Sequence, residues 1–80
     1  MPDSQKLTHH LLAQARTIAK GKHIREVERL VRQYGGRSSK WRKKSSPAIE
    51  REDATIEYHW YEHPGLGRFE VKEVQIQHDR

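Results

Sequence analysis

His59, Tyr61, Glu62, His63 and Arg68 fall within one short stretch, with Glu57 and Glu70 on either side. Cleavage of RNA without a metal calls for these side-chain types. A base must take the 2′-hydroxyl proton, an acid must serve the leaving oxygen, and a cation must meet the charge that builds on phosphorus. Histidine titrates near neutrality and can fill either proton role. A glutamate can act as base, an arginine can hold a phosphate through two hydrogen bonds, and a tyrosine offers a ring for a base to stack on. His59, Glu62 and Arg68 are the catalytic candidates, with Glu62 as partner of His59 and Arg68 on the scissile phosphate. A solvated sheet face laced with cross-strand salt bridges is the competing reading.

Just upstream, Arg37, Lys40, Arg42, Lys43 and Lys44 surround Trp41, with Ser38, Ser39, Ser45 and Ser46 among them. Lysine, arginine and serine hydroxyls are the usual phosphate contacts. Together with Tyr61, the five cations are the candidate nucleic-acid contacts; a merely solubilising loop is the alternative. Trp41 itself is expected in the core, because so small an apolar inventory can hardly spare it.

Other chemistries find little footing. Cysteine is absent, so thiolate metal sites, disulfides and cysteine nucleophiles are excluded. His59 and His63 stand four apart, which unites two ligands on a helix but not on a strand entering a turn, and no metal site is expected. His63-Pro-Gly-Leu-Gly67 lacks the trailing Gly-Lys-Ser/Thr of a phosphate loop. No serine sits in a nucleophile elbow, and no cofactor is expected.

These residues need elements to position them. Leu7, Leu11, Leu12, Ala15, Ile18 and Ala19 recur at helical spacing and predict a helix over 4–20, capped by Asp3 or Ser4 and stopped at Gly21. Ile24, Val27, Leu30, Val31 and Tyr34 predict a second helix over 23–34, ended by Gly35-Gly36. Residues 37–54 read as a basic then acidic loop, with a short strand near Trp41 open. Thr55–Tyr61 alternates and is rich in β-formers, His63–Gly67 punctuates, and Arg68–Lys72 alternates again, so 55–77 predicts a β-hairpin.

On the first hairpin strand Ile56, Tyr58 and Trp60 share one face, and Glu57, His59 and Tyr61 the other. Pairing Trp60 with Phe69 and Tyr58 with Val71 matches apolar to apolar. It also sets Tyr61 against Arg68, His59 against Glu70 and Glu57 against Lys72. Beyond Lys72 the apolar parity flips to Val74 and Ile76, which predicts either a bulge at Lys72-Glu73 or an end to the strand. The helices are expected on the Tyr58, Trp60, Phe69, Val71 face, leaving the His59 face open. The expected fold is α+β: two N-terminal helices packed on a small antiparallel sheet of two to four strands, one domain over 1–80.

The 80 residues are 32% hydrophobic and 34% charged, with a net charge of +5. That charge is a difference between halves. Residues 1–44 hold twelve cations and three acids, a net of +9, while 45–80 hold four cations and eight acids, a net of −4. A basic half of this kind favours an anionic partner, most simply nucleic acid. The size excludes a large multidomain enzyme. No apolar run could span a bilayer, and no signal-peptide core stands at the start, so a cytoplasmic protein without membrane contact is expected.

Three pieces in order, Val31-Arg-Gln-Tyr-Gly-Gly36, Lys40-Trp-Arg-Lys-Lys44 and His59-Trp-Tyr-Glu-His-Pro-Gly-Leu-Gly-Arg68, resemble small domains of bacterial polymorphic toxins and phage proteins. Those domains are grouped with the barnase, EndoU, colicin and RelE-like ribonucleases. The resemblance spans Ile24 to Lys72. It implies a helical part on a small antiparallel sheet with RNA cleaved at the sheet face. On matching positions it implies His59, Glu62 and Arg68 as catalytic residues and the Lys40–Lys44 cations as a substrate clamp. RNA and an immunity or antitoxin protein are the partners it implies. A weaker resemblance is to the HicA-type mRNA interferases through His59, although Glu57-Tyr58 stands where Gly-Ser usually precedes that histidine. The expected function is a metal-independent toxin-type endoribonuclease or a relic of one. The alternatives are a non-catalytic nucleic-acid-binding module using residues 37–44, or a protein-interaction module.

Overall fold

The computed structural model describes residues 7–76. A short helix α1 (His9–Ala13) leads into strand β1 (Arg16–Lys20) and a 3-10 turn (Gly21–His23). Helix α2 (Val27–Tyr34) follows, then a second 3-10 turn (Ser38–Lys40). Strands β2 (Arg42–Ser45), β3 (Ile49–Glu50), β4 (Thr55–His63) and β5 (Gly67–Ile76) complete the order. All pairings are antiparallel. β4 pairs with β5 on one side; on its other side it pairs with β2 and β3 in succession, and β1 extends the sheet beyond β2. The result is α+β with five strands and little helix, rather than two helices on two to four strands.

The helix expected over 4–20 is the largest departure. Among the described residues of that span, only His9–Ala13 is helical, with Thr8 Oγ1 accepting from Leu11 N at 3.2 Å; the expected caps Asp3 and Ser4 lie outside the described residues. Arg16–Lys20 is instead an edge strand. Ala15, Ile18 and Ala19 fit a helical stripe, but β-branched Thr17 and Ile18 suit a strand, and β2 offers a backbone ladder that a local pattern cannot reveal. Gly21, at φ 57°, turns the chain after the strand. The second helix starts four residues later than expected and ends as expected at Gly35, whose N–H donates to Val31 O at 2.8 Å. The supposed loop over 37–54 carries both β2 and β3. Between them, Ser46 continues the ladder: its N–H donates to Tyr58 O, and its Oγ accepts from Tyr58 N, both at 2.9 Å.

Strand alternation sends β4 side chains to two separate cores. Ile56, Tyr58 and Trp60 are buried beneath Leu7, Leu11, Leu12 and Ala15 of the α1 segment. Tyr61 faces the other way and joins Ile24, Val27, Leu30 and the fully buried Trp41 under α2. Trp41 is therefore core, as expected, with its Nε1 donating to Gly35 O at 3.1 Å. Tyr34 stacks on Phe69 with ring centroids 4.2 Å apart. The expectation that both helices share the Tyr58/Trp60 face is thus corrected. α2 sits on the Tyr61 face, because Tyr61 is buried with Trp41 in one core and its β5 partner Phe69 packs against the Trp41 and Tyr34 rings.

The register also differs. His63 pairs with Gly67 across a three-residue loop, closed by Leu66 N–H donating to His63 O at 3.0 Å, so Tyr61 meets Phe69 and Glu62 meets Arg68. Farther from the turn, His59 meets Lys72 and Glu57 meets Val74. The bulge lies opposite Trp60, at Glu70-Val71, not at Lys72-Glu73. No helix among the described residues is long and apolar enough to cross a membrane.

Candidate functional site

Helix α2 has eight residues and so is about 12 Å long, whereas the nine-residue β4 runs about 30 Å. The helix covers Tyr61 and leaves Glu57 and His59, on the same face, outside its core. His59 Nε2 lies 3.0 Å from Glu57 Oε1. Ser45 Oγ lies 2.9 Å from the same oxygen, and Arg16 Nη2 lies 3.5 Å from Glu57 Oε2. The two side chains of the dyad are only 17% and 14% exposed.

A carboxylate can only accept, so the proton between them sits on Nε2, and in the neutral form of the imidazole Nδ1 is the acceptor nitrogen. The hydrogen bond from His59 holds the Glu57 carboxyl below its ordinary value, with Ser45 and Arg16 adding to the effect against partial burial. Glu57 is therefore ionised at neutral pH and fixes the imidazole in orientation and tautomer.

Cations flank the dyad. Lys72 stands opposite His59 on β5, and Lys43 opposite Tyr61 on β2, with its Nζ 5.9 Å from the Tyr61 ring centroid. Both lysines and Tyr61 line a cleft of about 400 Å³ roofed by Ile24, Arg25 and Glu26 at the entry to α2. Burial raises the pKa of the Tyr61 hydroxyl, which stays protonated at neutral pH.

Lys72 reaches this face only because of the bulge. Continued without it, the register at the turn would set Val71 opposite His59. The bulge residue Glu70 has φ 60°, a left-handed conformation uncommon for a residue with a Cβ. Its carboxylate is held from α2: Arg29 Nη1 and Nη2 donate to Oε2 and Oε1, both at 2.9 Å, and Tyr34 OH donates to Oε2 at 2.7 Å. These bonds, Arg29's first, push the Glu70 carboxyl down to about 2. Arg29 also donates to Glu26 Oε1 at 2.8 Å, lowering the pKa of that carboxyl as well.

The candidates from sequence divide between the two faces. His59, Lys43 and Tyr61 lie on the cleft side. Glu62 and Arg68 lie on the reverse, where Glu62 Oε1 accepts from Trp60 Nε1 at 2.9 Å and Arg68 is exposed. The expected convergence of His59, Glu62 and Arg68 is not found, because a three-residue spacing on a strand crosses the sheet. Arg42 and Lys44 alternate away from Lys43. Arg42 Nη1 donates to Ser39 O and Trp41 O, and Lys44 Nζ donates to Thr17 Oγ1. Arg37 and Lys40 are exposed in the turn before β2. Glu57 rather than Glu62 is the partner of His59, and its two-residue spacing was the available signal. Arg16 and Lys72 carry none, since one falls in a stretch with helical apolar spacing and the other depends on the bulge. Among the described residues, no three His, Asp or Glu side chains are grouped to hold a metal ion.

Compared with known proteins, the chain matches no family model, no curated protein and no solved structure at a significant level.

Proposed function

We propose that the chain is a small RNA-directed protein that cleaves RNA at the β4 face beside α2, in the manner of a toxin-type endoribonuclease acting on cytoplasmic RNA. The observation that carries this reading is the His59–Glu57 dyad, half enclosed and bordered by Lys43, Lys72 and Arg16. Nδ1 of His59 takes the proton of a ribose 2′-hydroxyl, and the 2′-oxygen attacks the adjacent phosphorus. The bond to the 5′-oxygen breaks, leaving a cyclic phosphate on one product and a hydroxyl on the other. Lys43 and Lys72 balance the charge that builds on phosphorus, in a cleft that shields them from part of the solvent. The Tyr61 hydroxyl and the Lys72 ammonium are the proton donors available to the leaving oxygen. Glu57 orients the imidazole, as a carboxylate does behind a catalytic histidine.

The test is cleavage of a labelled RNA by wild type, His59→Ala, Glu57→Gln and Glu62→Gln. Removal of a general base typically lowers rate by ~10²–10⁴-fold. His59→Ala is expected to fall in that range, with Glu57→Gln also strongly impaired. A larger loss in Glu62→Gln than in Glu57→Gln would reject the dyad. A second reading, a binding module without catalysis, is favoured by the unpaired cations alone; it predicts that wild type binds RNA and leaves it intact.

A further inference from the structure

The cleft beside the dyad does not end at β1. It adjoins a second cleft of about 600 Å³, the two sharing Ile18, Ala19 and His23 as walls. That one continues into a third of about 310 Å³ through Lys20, His23 and Arg42, ending at Gly21 and the Ser38-Ser39 turn. The groove therefore starts on the open sheet face, crosses the edge strand and finishes between the two 3-10 turns.

Its charge is one-sided. Arg25, Lys43, Lys72, Lys20, Arg42 and Lys22 are spread along it. None of the six forms an ion pair with a described residue, whereas Arg16, Arg29 and Arg51, outside the walls, each do. The only carboxylate among the walls is Glu26, already held by Arg29. Concave surfaces lined by one sign of charge focus the potential and concentrate counter-charged ligands. The groove is not purely polar either. A register shift between Thr17 and Ala19 leaves Ile18 40% exposed on its wall, one of three large apolar side chains so exposed among the described residues. Cations beside an exposed apolar side chain suit a single-stranded nucleic acid, which presents both phosphates and base faces.

We propose that this groove binds the nucleotides flanking the cleaved phosphate of a single-stranded RNA, with backbone phosphates on Lys20, Lys22 and Arg42 and a base against Ile18. The proposal rests on cleavage taking place at His59, next to the cleft walled by Lys43, Tyr61 and Lys72, and extends that reading to a substrate longer than a dinucleotide. A dinucleotide spans only His59 and the adjoining Lys43–Lys72 cleft; an octanucleotide reaches across β1.

The experiment compares Lys20→Glu/Lys22→Glu with wild type on both substrates, in cleavage and in fluorescence anisotropy with the labelled octanucleotide. Both lysines are exposed, and circular dichroism checks that the fold is kept. Arg32→Glu/Arg68→Glu carries the same charge change outside the groove. The groove variant is expected to lose at least tenfold more kcat/KM on the octanucleotide than on the dinucleotide. Its affinity for the octanucleotide should fall at least tenfold, with a salt slope shallower by about 1.4, from ~0.7 per lost phosphate contact. Equal losses on both substrates, or equal losses in the two charge variants, overturn the groove. Equal binding of an RNA duplex, or of a polyglutamate of the same charge, overturns single-stranded RNA as its occupant. If wild type cleaves neither substrate, the cleavage reading fails, and the anisotropy arm still decides the groove.

Discussion

Glu70 is the residue at which fold and site can be probed together. Its carboxyl falls from an ordinary 4.5 to about 2 in the folded chain, chiefly through the hydrogen bonds from Arg29 and then from Tyr34. A depressed folded-state pKa stabilises the protein above the unfolded value and is lost as pH falls through the folded one. At about 1.4 kcal/mol per pH unit, the ceiling is ~3 kcal/mol. The side chain is 30% exposed, and solvent and salt screen such a pair, so ~1–2 kcal/mol is the working figure. Glu70→Gln keeps the shape and removes the charge. In urea unfolding at pH 7 it should be less stable than wild type by that amount with an unchanged m-value. The gap should narrow from about pH 4.5 and nearly close at pH 2. Glu70→Gly gives a second handle. It loses the same bonds but relieves a left-handed conformation that costs roughly 1–2 kcal/mol for a residue with a Cβ, so it should be the more stable of the two variants. A Glu70→Gln variant as stable as wild type at pH 7, or a gap that does not change with pH, refutes the clamp.

Three further outcomes follow from the same structure. Trp41→Ala removes a fully buried indole from the α2 core and should cost ~3–5 kcal/mol in denaturant unfolding, enough to threaten a domain this small. Ser46→Ala leaves the buried Tyr58 N–H without its acceptor and should cost ~1–3 kcal/mol, while Ser46→Thr, which keeps the hydroxyl, should cost less. Glu57 should titrate below its ordinary 4.5 by carboxyl-detected NMR, and His59→Ala should move it upward, because the histidine bond is the main cause of the shift and burial then acts with less opposition. A Glu57 titration unmoved by His59→Ala would separate the two residues.

The legible parts of the fold are those decided within a segment. The apolar face of α2 and its glycine stop can be read directly, because Val27, Leu30 and Val31 recur at one period and Gly35 supplies a positive φ. The alternation of β4 is equally local, and it alone places Glu57, His59 and Tyr61 on one face. Glu62, three residues from His59, falls on the opposite face, whereas Glu57, two residues away, shares its face. The basic segment was legible as composition but not as a surface, since β2 sends Lys43 to the cleft and its two neighbours to the other side.

The sequence by itself determined which side chains are available for chemistry and which of them share a face of β4. Three matters were left to the tertiary structure. β1 is a strand because β2 supplies its hydrogen bonds. α2 lies on the Tyr61 face because Phe69 and Trp41 meet it there. Lys72 stands opposite His59 because Glu70, bound from a helix 41 residues earlier in the chain at Arg29, holds a bulge. Each depends on partners distant in sequence, whose hydrogen bonds and buried surface outweigh the weak local preference of a few residues.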